Sequence, residues 1–205
     1  MTRKVLALGR DGQLVLRSAD GNVQPIPKPQ AASALLLIDC SSSMSGPKIS
    51  QAKDGVLSFA DEAARKGYAV GLISFASEAK MLCEPQQNVP AVAAAVRYLD
   101  ASGSTNMADG LILAIEQIAG RSGSRAIVLV TDGEPDNRDA TIGAARRARE
   151  LGIDIITIGV DGADQDFLRL LATRSDLATF VSAKELRVGI ADAAKMLSGG
   201  ISRSK

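Results

Sequence analysis

Directly after the apolar run Leu35-Leu36-Leu37-Ile38 the chain reads Asp39-Cys40-Ser41-Ser42-Ser43-Met44-Ser45-Gly46. Side chains alternate along extended backbone, so Asp39, Ser41 and Ser43 are expected to share one side, a carboxylate beside two hydroxyls. A second apolar run, Ala126 to Val130, ends in Thr131-Asp132-Gly133-Glu134-Pro135-Asp136, and Ser102-Gly103-Ser104-Thr105-Asn106 precedes a helical pattern. Each piece alone has a local explanation. A serine before a helix caps it, and Asp-Gly or Pro-Asp pairs make turns. Local explanations do not account for three strand ends or helix starts that all present oxygen donors, two aspartates among them. Like charges brought together need a cation, or one must take a proton. An oxygen-only donor set suits a hard divalent ion, Mg²⁺ first, with Mn²⁺ or Ca²⁺ as alternatives. On the residues alone, Asp39 is compatible with a nucleophile, a helix cap or a metal ligand.

The elements that must position these residues alternate from Ala34 onward. Ile49, Ala52, Val56, Phe59, Ala60 and Ala63 recur at three- and four-residue steps, which predicts a helix ending near Lys66 and Gly67. Strands are expected over 68–75, 79–83, 126–130, 153–160 and near 179–181. Further helices are expected over 89–99, 107–119, 140–151, 166–172 and 184–197. Apolar strands separated by helices predict an α/β fold: a doubly wound, Rossmann-like, mostly parallel sheet with helices on both faces. The 79–83 strand follows its neighbour too closely for a helical crossover, so it is expected to be short, antiparallel and at an edge. Ligands of such sheets bind beyond the carboxyl ends of the strands, at a topological switch point. The amino-terminal part looks different. Val5 to Leu8 and Leu14 to Leu16 flank Asp11-Gly12, a two-residue hairpin signal, and Pro25-Ile26-Pro27-Lys28-Pro29 reads as a stiff linker. The expected division is a hairpin and linker over 1–30, the main domain over 31–200 and a tail over 201–205.

Composition narrows the chemistry. The 205 residues contain no histidine, which removes Ser-His-Asp and Cys-His catalysis and every histidine-bearing zinc site. Cys40 and Cys83 are too few for a disulfide framework and read as buried thiols. A formal net charge of +1 offers no field for nucleic acid or an anionic membrane. Gly9-Arg10-Asp11-Gly12 cuts the first apolar run too short for a signal peptide, and no run approaches a membrane span, so a cytoplasmic protein is expected. Arg146-Arg147-Ala148-Arg149, beside Glu150, reads as a solvated helix face.

Asp39-x-Ser41-x-Ser43, with Thr105 in Gly103-Ser104-Thr105-Asn106 and Asp132 in Thr131-Asp132-Gly133, resembles the metal-ion-dependent adhesion site of von Willebrand factor A (vWA) domains. The order of strands and helices from about Ala34 to Leu197 is similar to that fold. The resemblance implies direct contact of Ser41, Ser43 and Thr105 with the metal, Asp39 and Asp132 acting largely through water, and a partner's Glu or Asp filling the last position. Met44, Ser45, Asn106 and Glu134 are then candidates for the rim that touches the partner. The function implied is non-enzymatic, metal-dependent protein binding. The alternative is a scaffold or adaptor subunit of an ATPase, chelatase or kinase–phosphatase system in which the metal is structural, since compact bacterial versions of the domain resemble such subunits. A remote alternative is a phosphotransferase with Asp39 as nucleophile; it wants a second acid two residues on, where this chain has Ser41.

Overall fold

The computed structural model describes residues 4–8, 14–18, 23–25 and 32–198. The chain divides into two units, Met1–Gln30 and Ala31–Lys205. The first holds three antiparallel strands in the order β1 (Lys4–Leu8), β2 (Leu14–Ser18), β3 (Val23–Pro25). The expected hairpin is therefore a meander. Pro25, expected in a linker, ends the edge strand β3, a position at which proline is tolerated. Leu8 lies opposite Leu14, whereas a two-residue turn at Asp11-Gly12 would set Leu8 opposite Val15. The turn residues themselves lie outside the described residues.

The second unit is a six-stranded sheet in the order β6-β5-β4-β7-β8-β9. Its strands are β4 (Ala32–Asp39), β5 (Tyr68–Phe75), β6 (Ala79–Gln86), β7 (Arg125–Thr131), β8 (Asp154–Val160) and β9 (Ala178–Val181). All neighbours are parallel except β5 and β6. The antiparallel edge strand is thus present, and at eight residues it is longer than expected.

Period-two alternation in β4 sorts its side chains onto two apolar layers. Ala34, Leu36 and Ile38 join the layer built with α1 (Pro47–Arg65), α2 (Val89–Val96) and α6 (Leu186–Met196). Leu35 and Leu37 join the layer built with α3 (Met107–Ile118), α4 (Arg138–Glu150) and α5 (Gln165–Leu171). Small residues let the helices come close with so few aromatics available. A Cβ on Gly55 of α1 would stand 2.8 Å from the Cβ of Ile190 in α6.

This topology fixes where a ligand can sit. From β4 the chain passes to β5 on one side, and only later returns to place β7 on the other. The carboxyl ends of β4 and β7 therefore flank the switch point, and they carry Asp39 and Asp132.

Candidate metal centre

Asp39 ends β4 with its carboxylate fully buried. Its Oδ1 accepts the backbone N–H of Ser41 at 2.7 Å, and its Oδ2 accepts the hydroxyl of Thr131 at 2.6 Å. Burial pushes the Asp39 carboxyl above the ordinary aspartate range, and the Thr131 and Ser41 hydrogen bonds oppose that rise. Asp39 is therefore an anchor beneath the loop, holding it to β7.

The loop it holds is not extended. After Cys40 the chain enters a 3₁₀ turn over Ser42–Met44, and this turn brings Ser41 Oγ and Ser43 Oγ to 3.0 Å. The expected grouping of hydroxyls is present, produced by a turn instead of strand alternation. Ser43 Oγ donates to Asp132 Oδ1 at 2.7 Å, linking the β4 loop to the β7 loop. The third loop is tied to both. Ser42 N–H donates to Gly103 C=O at 3.1 Å, Thr105 N–H to Asp136 Oδ1 at 3.2 Å, and Asp136 N–H to Thr105 C=O at 3.0 Å.

Do these residues fit a metal ion? A Cβ placed on Gly133 would lie 3.7 Å from Thr105 Oγ1 and 3.9 Å from Ser43 Oγ, so both hydroxyls border one small cradle kept open by the glycine. Among the described residues, no group of three or more His, Cys, Asp or Glu side chains is placed to hold a metal. A cage of carboxylates is therefore not what this site offers. What it could offer an ion is three hydroxyls, Ser41, Ser43 and Thr105, with Asp39 and Asp132 behind them, a set whose chemistry would suit a hard divalent ion.

The rim candidates fare differently. Met44 is fully buried, because the 3₁₀ turn rotates it into the apolar layer of α1, so it cannot touch a partner. Ser45 is exposed and donates to Ser42 C=O at 2.7 Å. Asn106 caps α3 by accepting the Asp109 N–H at 3.3 Å, and Glu134 is exposed, 3.8 Å from Arg138.

The sequence profile of the von Willebrand factor type A domain matches residues 35–192. The chain belongs to this family. Among curated relatives, the UPF0353 protein of Mycobacterium sp. (strain KMS) is 31% identical over an alignment of 153 residues that covers 65% of this chain and 45% of the relative. The chain thus spans about half the length of the curated relatives it matches. Among solved structures, the vWF domain of the type V pili tip protein Mfa5 from Porphyromonas gingivalis superposes with a TM-score of 0.78 at 16% identity, covering 87% of this chain and 98% of that one. Proximal thread matrix protein 1 from the mussel byssus, with zinc occupying its MIDAS motif, gives a TM-score of 0.69 at 21% identity, covering 82% and 46%. At these identities the structural likeness concerns the fold.

This vWA domain also places at its site several residues outside the expected ligand set. Thr131 holds Asp39, and Asp136 holds the Thr105 loop. Lys48, second residue of α1, puts its ammonium 2.5 Å from Asp132 Oδ2 and 3.5 Å from Asp161 Oδ2, and donates to Ser43 C=O at 3.3 Å. The bond to Asp132 holds the Lys48 ammonium above the ordinary lysine range. One signal for Lys48 was available. A cation in the first turn of a helix opposes the helix dipole, so a lysine there calls for an acidic partner outside the helix. Asp161 follows β8 with a φ of 50°, uncommon for a residue other than glycine.

Proposed function

We propose that this vWA domain is a non-enzymatic protein-interaction module that grips an acidic residue of a partner through a divalent ion. The observation that carries the reading is the hydroxyl chain from Ser41 through Ser43 to Asp132, at 3.0 and 2.7 Å, which joins two strand ends at the switch point. By likeness to the family, Ser41, Ser43 and Thr105 would touch the ion, and Asp39 and Asp132 would act through water. Bound there, a divalent cation supplies an electrophilic centre for a Glu or Asp side chain of the partner. The chain's own residues then do the rest: Asp39 and Thr131 fix the serine loop, Asp136 fixes Thr105, and Gly133 leaves the approach open.

Mg²⁺ is the ion proposed, since the donors are all oxygen and only two are carboxylates from the ligand motif. The zinc-occupied MIDAS of the byssus protein supports a divalent metal in general. Burial of Asp39, with both oxygens hydrogen-bonded, supports a binding role over a nucleophilic one. No helix among the described residues is long and apolar enough to cross a membrane. A cytoplasmic setting, and a place beside an ATPase, chelatase or kinase–phosphatase pair, belong to the proposal.

Two linked experiments test it. Titration calorimetry with MgCl₂ and MnCl₂ measures ion binding to the wild type and to Ser43→Ala, a variant at an exposed position that removes one hydroxyl. Affinity capture from the source cells is then run with Mg²⁺, with chelator and with Ser43→Ala. We expect ion binding and capture to fall together. Capture that survives both chelator and Ser43→Ala refutes the metal grip and leaves a passive scaffold.

A further inference from the structure

Lys48 has no place in the ligand motif, yet its ammonium stands inside the site. It faces two acids at once, and they differ in setting. The Asp132 side chain is 1% exposed and lies 2.5 Å away; the Asp161 side chain is 43% exposed and lies 3.5 Å away. Asp132 has its other oxygen taken by the Ser43 hydroxyl, so without an ion both of its oxygens are satisfied and its charge is balanced. Asp161 is held in position from the far side, where its Oδ1 accepts the Ala183 N–H at 2.9 Å and its own N–H donates to Val181 C=O at 2.9 Å.

We propose that Lys48 is an internal counter-cation that competes with the divalent ion for Asp132, and that Asp161 receives the ammonium when the ion takes over. This rests on the metal-binding reading of the same site. Two cations cannot both be neutralised by Asp132, so an incoming divalent ion must displace the ammonium or bind against its repulsion. A half-exposed carboxylate already within 4 Å gives the ammonium somewhere to go without a rotamer far from the present one. Lys48 therefore keeps the ion-free site intact and sets a threshold for ion entry.

The test is calorimetric titration of the full chain with MgCl₂ and with MnCl₂, comparing the wild type with Lys48→Met and Asp161→Asn. Lys48→Met is expected to bind the ion more tightly by tenfold to a hundredfold, on the order of the worth of a charge-assisted hydrogen bond. Asp161→Asn is expected to bind about twofold to fivefold more weakly, the range of a half-exposed ion pair. In chelator, Lys48→Met melts below the wild type and regains more on adding Mg²⁺. If Lys48→Met does not fold with or without ion, Lys48→Gln, which still donates to Asp132 without the charge, carries the same expectation. Equal or weaker ion binding by the lysine variants overturns the inference while leaving the metal site standing. Absence of ion binding in wild type and variants alike overturns both. Binding only by the lysine variants supports the inference and removes the metal from the native protein.

Discussion

Thr131→Val isolates the hydrogen bond that joins β4 to β7 beneath the site. The hydroxyl of Thr131 donates to Asp39 Oδ2 at 2.6 Å and accepts the Gly133 N–H at 3.2 Å, and both Thr131 and Asp39 are fully buried. Valine keeps the shape and removes both bonds. A hydrogen bond to a charged group contributes about 1.5–3 kcal/mol, and one between neutral groups about 1 kcal/mol. The loss should therefore be about 2–4 kcal/mol. With a urea dependence of about 2 kcal/mol per molar, the unfolding midpoint should fall by about 1–2 M. The assay is urea unfolding followed by circular dichroism in chelator, so that no ion contributes. Thr131→Ser serves as the control, since it keeps the hydroxyl and loses one methyl, worth about 1 kcal/mol. A double-mutant cycle with Asp39→Asn should show a coupling of about 1–3 kcal/mol. A loss for Thr131→Val no greater than for Thr131→Ser, or one that simply adds to that of Asp39→Asn, would refute this role of the Thr131 hydroxyl.

Two further outcomes are expected. Because burial raises the Asp39 pKa above 3.8, the folded state holds this proton more firmly than the unfolded chain; in chelator, its contribution to stability falls as pH rises from 3.8 through the raised value. Lowered carboxyls at Asp164, Asp176 and Glu185 slope the other way, so the measurement is the urea midpoint of wild type minus that of Asp39→Asn across the acidic range, and a flat difference would contradict the assignment. In the basic cluster, Arg149 donates to the carbonyls of Leu170, Leu171 and Ala172 at the end of α5, whereas Arg146 is exposed on α4. Arg149→Ala should lower stability by about 1–3 kcal/mol and Arg146→Ala by less than about 0.5 kcal/mol in thermal unfolding, and equal losses would contradict the capping role.

Much of the fold was legible because its signals are local. Leu35 to Ile38 and Ala126 to Val130 are apolar on both faces, which only a sheet covered on both sides can bury. The short gap after Phe75 dictated an antiparallel partner, and Gly67 marked where α1 had to stop. The third amino-terminal strand was hidden because three residues ending in proline carry no periodicity. At the site, the spacing of Asp39, Ser41 and Ser43 drew attention to the right loop, although the 3₁₀ turn changed how the hydroxyls meet and turned Met44 inward. Thr131 and Lys48 were harder to read, since their meaning depends on acids 92 and 84 residues away. Asp136 looked like a turn residue for the same reason: its carboxylate serves a loop 31 residues earlier.

The hydrogen bond between Thr131 and Asp39 has a consequence for the order in which the molecule is made. Asp39 is synthesised 92 residues before its hydroxyl partner. A nascent chain that has completed β4, β5 and β6 still carries a carboxylate whose second oxygen must face water, so the top of β4 stays open until β7 arrives beside it. Docking of β7 closes that end and, in the same step, delivers Asp132 to the serine loop. A chain halted short of β7 has no complete site to present. Any partner that reads the finished site would thereby discriminate molecules in which β7 has docked from chains halted before it, without a separate mechanism for doing so.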